Sequence, residues 1–343
     1  MKALYLVDKR KVEMRDIPVP EVKAGEVLVK VMHCGVCGSD VHYYKEGAIG
    51  DFVVKEPMIL GHECAGEIVE LGEGVTELNV GDKVALEPGI PCGKCEYCKS
   101  GKYNLCPDVK FMATPPIDGA FCEYVSYPAE FCFKLPDNMD TIDGAMIEPL
   151  NCGFHATQRV GAHVGQTAVI MGDGCIGLCV LTALHASGVN DVYLFGKHEK
   201  RLAMAKKMGA TAVFNISEVD PVKKINEISN GRGMDLVFEL TGSVSGTQVC
   251  IPMAARGGKI MLMGQGANAY TEINIDGIIV KELDVMGNFR YANLYPTVIN
   301  AVSTQDLKIK EMITDIYKFE DVEKALEYSV TNKADTVKMI IEF

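Results

Sequence analysis

The chain has 343 residues, enough for two domains with filled cores, and its 48% hydrophobic and 23% charged content is that of a soluble globular protein. A net charge of -12 disfavours nucleic acid and acidic membrane surfaces as partners, and no apolar stretch approaches the length of a membrane span. The odd count of 13 cysteines, behind an N-terminus (MKALYLVDKRKV) too short in apolar run for a signal peptide, argues for the reducing cytoplasm over a secreted disulfide scaffold.

Up to about residue 150 the chain is rich in short β-like runs broken by Gly and Pro. VLVKVMHCGVC, HECAGEIVEL and DKVALEPG are examples, bounded by turn signals such as Gly81-Asp82. This predicts a partly rolled, mostly antiparallel β-domain with its functional residues on loops. Cys37 and the pair His62-Glu63 lie on it, and neither their types nor their spacing alone establishes a site. The next motif is specific. Cys92, Cys95, Cys98 and Cys106 read C-x2-C-x2-C-x7-C, and their four thiolates complete a zinc tetrahedron with no open position. The loop of about residues 90–107 is therefore expected to carry a structural zinc. A redox C-x-x-C would open a helix after a strand, whereas the flanks here, PGIP and KSGKYNLCPD, read as loop.

From about Val160 the texture changes. QTAVIMGDGCIG reads as a buried strand, a glycine turn and the start of a helix; DVYLFG, AVFNI, DLVFEL and KIMLMG are further buried strands with helical or loop segments between them. Such alternation implies right-handed crossovers and a parallel sheet. Gly172, Gly174 and Gly177 form G-x-G-x-x-G at the first strand-to-helix turn, where the backbone must turn tightly and approach a pyrophosphate. NAD-binding forms end the second strand with an acid. Here Gly196 stands there, followed by Lys197 and His198, with Lys200 and Arg201 one turn on. A missing carboxylate beside cations predicts a preference for NADP(H). Ile176, Gly264, Gly266, Phe289 and Arg290 complete the expected cofactor contacts. Beyond Phe289 a helix, EDVEKALEYSV, and a strand, VKMIIEF, are expected to return to the first domain. The predicted division is thus 1–150 with 290–343 against 151–289.

In chain order, Cys37-Gly38-Ser39-Asp40-Val41-His42, Gly61-His62-Glu63, the four-cysteine loop and the glycine turn resemble the zinc-dependent medium-chain alcohol dehydrogenases. The resemblance runs the length of the chain. HYYKEGAIGDF, KEPMILGHE, ATPPIDGAF, KLPDN, GAMIEPLNCGFHA and NFRYANLYP narrow it to the sorbitol and xylitol dehydrogenase branch. It implies an α/β protein with a GroES-like β-barrel catalytic domain and a Rossmann doubly wound parallel-sheet domain, assembled as a tetramer.

The same resemblance implies two zinc ions per chain and a polyol or ketose substrate. The catalytic zinc would be held by Cys37, His62 and a glutamate, one of Glu63 and Glu148 binding it and the other contacting its water or exchanging with it; against Cys152, the I-E-P-L context favours Glu148 and leaves Cys152 buried and inert. Zinc lowers the pKa of a bound water by roughly 9 units, or about 12 kcal/mol, against roughly 3–5 kcal/mol from a general base. Hydroxyls then need only carry the proton away: Ser39 first, His42 after it, with Asp40 orienting His62. Tyr43, Phe111, Glu148, Arg290 and Tyr291 are implied as the polyol pocket. The alternatives are a related zinc enzyme for threonine, a sugar-alcohol phosphate or a simple secondary alcohol, and a non-enzymatic cofactor-binding protein.

Overall fold

The computed structural model describes residues 1–266 and 270–343. It divides into two compact units, Met1–Glu148 with Tyr295–Thr304 and Ile313–Phe343, and Pro149–Leu294 with Gln305–Met312. The division read from the sequence differs at 290–294 and at 305–312, which fall in the second unit, and by two residues at 149–150, which do so as well. The second difference has a packing cause: the short helical turn Ile309–Met312 lies against the helix Cys175–Ala186.

In the first unit the strand Glu26–Val36 is the spine of a seven-stranded sheet. Val27, Leu28, Val29 and Val31 are buried and Lys30 is exposed, so the alternation of a half-buried strand holds only across Val29–Val31. Glu63–Leu71 pairs with it antiparallel along most of one edge. On the other edge Tyr124–Pro128 takes the first half and the C-terminal strand Lys338–Glu342 the second. Lys83–Leu86 and Cys132–Lys134 extend the sheet on one side and Ile313–Lys318 on the other. The core beneath gathers Leu6, Val29, Ile68, Leu86, Phe121 and Ile341.

The second unit is built on six parallel strands. In spatial order they are Ala212–Asn215, Asp191–Gly196, Thr167–Met171, Met234–Glu239, Ala254–Leu262 and Asp284–Gly287. Numbered along the chain that is 3-2-1-4-5-6, the order of a doubly wound dinucleotide fold. Its central strands are covered on both faces, so Val169, Ile170, Leu236, Val237 and Phe238 are all removed from solvent. Strand order reverses at Thr167–Met171, and the turn that follows this strand is Gly172–Gly174. Among the described residues no helix is long and apolar enough to cross a membrane.

Candidate metal centre and cofactor loop

Sheet register brings the first site together. Cys37 follows directly on the spine strand, Glu63 opens its antiparallel partner, and Gly35 stands opposite Glu63 in the ladder. The ligand atoms of Cys37, His62 and Glu63 lie within 4.8 Å of one another, with His62 and Glu63 buried. A thiol, an imidazole and a carboxylate converging out of water form a donor set that suits zinc and leaves one position open. Glu148 is buried but stands outside this cluster, its charge felt at Cys64 and Glu87. The sequence leaves Glu63 and Glu148 open as the third donor; the structure gathers Glu63 with Cys37 and His62 and leaves Glu148 outside that cluster.

Two buried charges fix this donor set. Asp40 has no solvent exposure and accepts the N–H of Cys37 at 2.9 Å and of Gly61 at 3.0 Å. Its Oδ1 lies 3.6 Å from His62 Nδ1, which directs that nitrogen away from a metal and leaves Nε2 for one. Burial alone would raise the Asp40 carboxyl, but His62 and the two N–H donors hold it below its usual range. Burial would lower His62, yet Asp40 and Cys37 leave it well above its ordinary value. Glu63 is held by Lys338, whose Nζ reaches its two oxygens at 2.7 and 2.5 Å and donates to Val36 O at 3.2 Å. Gly35 is required beneath it, because a Cβ there would meet Glu63 Oε2 at 2.1 Å.

The other expected site residues divide between the units. Ser39, His42 and Tyr43 share the helix Gly38–Glu46, with Tyr43 buried, Ser39 half-buried and His42 exposed. The Phe111 ring lies 5.7 Å from that of His62, tilted by 59°. Arg290 and Tyr291 belong to the second unit, not to the catalytic domain in which the sequence reading placed them. Tyr291 is buried, and the Arg290 guanidinium sits 4.9 Å over the ring of Phe289. Cys152, expected to be buried, is half-exposed.

The sulfurs of Cys92, Cys95, Cys98 and Cys106 also lie within 4.8 Å of one another. Two of the separations, Cys92–Cys98 at 3.9 Å and Cys95–Cys98 at 3.3 Å, bracket the edge of about 3.8 Å that a Zn–S length of about 2.3 Å gives a tetrahedron. Backbone N–H groups of Lys94 and Cys95 pull Cys92 down to about 6, towards the thiolate that a metal takes. The set fits a closed structural zinc.

At the glycine turn, Gly172 adopts φ +128, and a Cβ on Gly177 would meet Gly172 O at 2.1 Å. Gly174 caps the helix Cys175–Ala186 and has open space where its Cβ would be, room for a pyrophosphate to come against the backbone. Ile176 is half-buried in the first turn. Gly264 and Gly266 pass so close to Gly242 that a Cβ on either would meet its backbone, at 2.1 and 1.8 Å. The residues present fit a dinucleotide.

The end of the second strand differs from its sequence reading. Asp173, between the first two glycines, is buried, and its Oδ2 accepts the N–H of Lys197 and of His198, each at 2.8 Å. His198 Nδ1 lies 3.0 Å from the same oxygen, and Arg201 Nη1 lies 3.6 Å from Oδ1. A preference for NADP(H) rests on a strand end with no carboxylate beside its cations. One is present, carried by the glycine loop, so that premise is corrected.

Family models of known proteins match both units: the alcohol dehydrogenase GroES-like domain over residues 23–137 and the zinc-binding dehydrogenase domain over residues 175–304. The chain belongs to the zinc-binding alcohol dehydrogenases. Within this family it is 42% identical to a sorbitol dehydrogenase of Bacillus subtilis, covering 99% of this chain and 97% of that one. It is 42% identical to D-xylulose reductase A of Aspergillus oryzae, covering 92% and 89%. A solved oxidoreductase/dehydrogenase of unknown specificity from Escherichia coli superposes with a TM-score of 0.95 at 41% identity, covering 99% and 98%.

For a zinc-binding alcohol dehydrogenase, two polar residues here escape motif reading. Lys338 left one signal, a cation inside the apolar C-terminal run VKMIIEF. Asp173 left none, because it fills an unspecified place in G-x-G-x-x-G.

Proposed function

We infer that this dehydrogenase interconverts a polyol of the sorbitol or xylitol type and its ketose, using zinc and a nicotinamide cofactor. The observation that carries this reading is the buried Cys37-His62-Glu63 cluster in a chain 42% identical, over nearly its whole length, to a sorbitol dehydrogenase. When bound, zinc supplies a Lewis acid for the substrate oxygen and the nicotinamide a hydride acceptor. Cys37, His62 and Glu63 would hold that zinc, and Cys92, Cys95, Cys98 and Cys106 a second, structural one.

The chain's own residues orient and discharge. Asp40 sets the imidazole of His62, and Lys338 holds the Glu63 carboxylate in a buried ion pair. Phe111 covers the face of the site beside His62. Ser39 Oγ accepts the proton of the substrate hydroxyl as it gives up its own, which His42, exposed one turn on, carries onward. Tyr43, Phe111 and Glu148, with Arg290 and Tyr291, form the set proposed to grip further hydroxyls, which an apolar alcohol would not need. We also assign a homo-oligomer, supported by exposed apolar residues beside the outer strand Asp284–Gly287, and a cytoplasmic setting, which suits 13 free cysteines.

Steady-state kinetics on sorbitol, xylitol, their ketoses, threonine and 2-propanol, before and after chelation, test this function. Polyol turnover should exceed that of threonine and 2-propanol, vanish with the zinc and return on its restoration. Full activity after complete zinc removal, or preference for 2-propanol, would overturn it.

A further inference from the structure

The adenosine end of the cofactor site contains an acid from an unusual place. In dinucleotide folds a side chain at the end of the second strand reads the ribose, an acid there accepting its hydroxyls and a cation accommodating a 2′-phosphate. The residue at that strand end is Gly196. Its missing side chain is replaced in space: a Cβ built on Gly196 would meet Asp173 Oδ2 at 2.4 Å and Asp173 Cβ at 2.5 Å. Asp173 reaches back because Gly172 takes a φ of +128, open to glycine and strained for other residues. The pair is reciprocal, since glycine at 196 is what gives the Asp173 carboxylate its room.

What that carboxylate holds decides its role. The N–H groups of Lys197 and His198, with Arg201 behind them, would by themselves make an anion-binding corner of the kind that seats phosphate. Asp173 already fills it, with both N–H groups on Oδ2 and Arg201 on the Oδ1 side. Burial works against its charge, but the His198 and Lys197 N–H groups keep its carboxyl below the usual carboxylate range. A 2′-phosphate arriving here meets a like charge and donors already engaged, whereas a 2′-hydroxyl meets Oδ1, the less engaged of the two carboxylate oxygens, as an acceptor.

Resting on the dinucleotide reading above, we propose that Asp173, delivered by the glycine loop into the space left by Gly196, is the specificity-determining residue that selects NAD(H) over NADP(H). Lys197, His198 and Arg201 form a latent phosphate seat that Asp173 keeps closed.

Binding rather than turnover tests this. Purified wild-type protein is titrated with NADH and with NADPH at one fixed salt concentration, following nicotinamide fluorescence. The wild type should bind NADH at least tenfold more tightly. Asp173→Ala should tighten NADPH at least tenfold and weaken NADH, and Arg201→Ala added to it should remove the NADPH gain. Asp173→Asn keeps the shape of the loop, and should move the ratio in the same direction. Wild-type binding of NADPH as tight as NADH overturns the proposal whether or not the variants fold. So does a folded Asp173→Ala that weakens both cofactors equally, the result expected of a merely structural group. Failure of the wild type to bind either cofactor would instead overturn the dinucleotide reading itself, and with it this assignment.

Discussion

Lys338 and Glu63 form a buried ion pair inside the donor cluster, with 3% and 1% of their side chains exposed. Such a pair contributes little net stability while whole, but removing one partner strands the other's charge out of water at a cost of about 3–5 kcal/mol. Lys338→Met should therefore lower the unfolding free energy of zinc-stripped protein, read from urea denaturation, by that amount. Adding Glu63→Gln to it should restore most of the loss, and additive losses would sink the pairing argument. The two residues are 275 positions apart in the chain, which is why pattern reading does not join them. The four cysteines are the opposite case: spacing alone carries their chemistry, because all four ligands come from one short loop. Cys37, His62 and Glu63 lie between these extremes, since register rather than proximity in sequence assembles them and only the family pattern makes them readable.

Among the elements, strands and helices follow their sequence periodicity closely, but the direction of single side chains within turns does not. Gly172 and Gly177 are legible because their contacts forbid a Cβ, whereas Asp173 depends on which way the turn throws an unconstrained position. The helix Thr141–Val160 carries another such side chain, since nothing in the sequence gives the state of His155. Burial pushes His155 down to about 4, with Arg159 one turn on adding to the effect. An unfolded histidine titrates near 6.5, so between about pH 6.5 and 4 the unfolded chain binds the extra proton and the folded one does not. The stability tied to neutral His155 is complete above pH 6.5 and is lost as the pH falls towards 4. Allowing for partial exposure, that is about 1 kcal/mol between pH 7 and pH 5. Urea midpoints at those two pH values should fall further for the wild type than for His155→Gln. Parallel losses would show that His155 does not contribute.

At the scale of the molecule, the two-unit plan and the parallel sheet are legible because repeated strand-helix alternation permits few topologies. The return of residues 305–312 to the second unit is not, because a single short turn has no period to read. The proposed association likewise rests on exposure rather than on pattern. Scattered apolar residues on a surface need no explanation. Here, however, Ile275, Ile279 and Val280 are exposed on the helix Ile275–Lys281, the last two at 68% and 63%, and Val285 is exposed on the strand that follows. That strand, Asp284–Gly287, is the outermost of the parallel sheet, with its second edge open to pairing among the described residues. An open edge flanked by apolar side chains is a surface that natural proteins cover or charge, and a second copy related by a two-fold axis covers it symmetrically. The net charge of -12 opposes association, but at physiological salt it is screened beyond about 8 Å and does not outweigh apolar burial at contact. Light scattering should therefore give a mass that is a multiple of 37.3 kDa, falling as ionic strength is reduced. Ile279→Asp combined with Val285→Lys should bring it to a single 37.3 kDa chain with its circular dichroism unchanged. A wild-type protein that stays at that single mass across micromolar concentrations would show that this edge is not an interface.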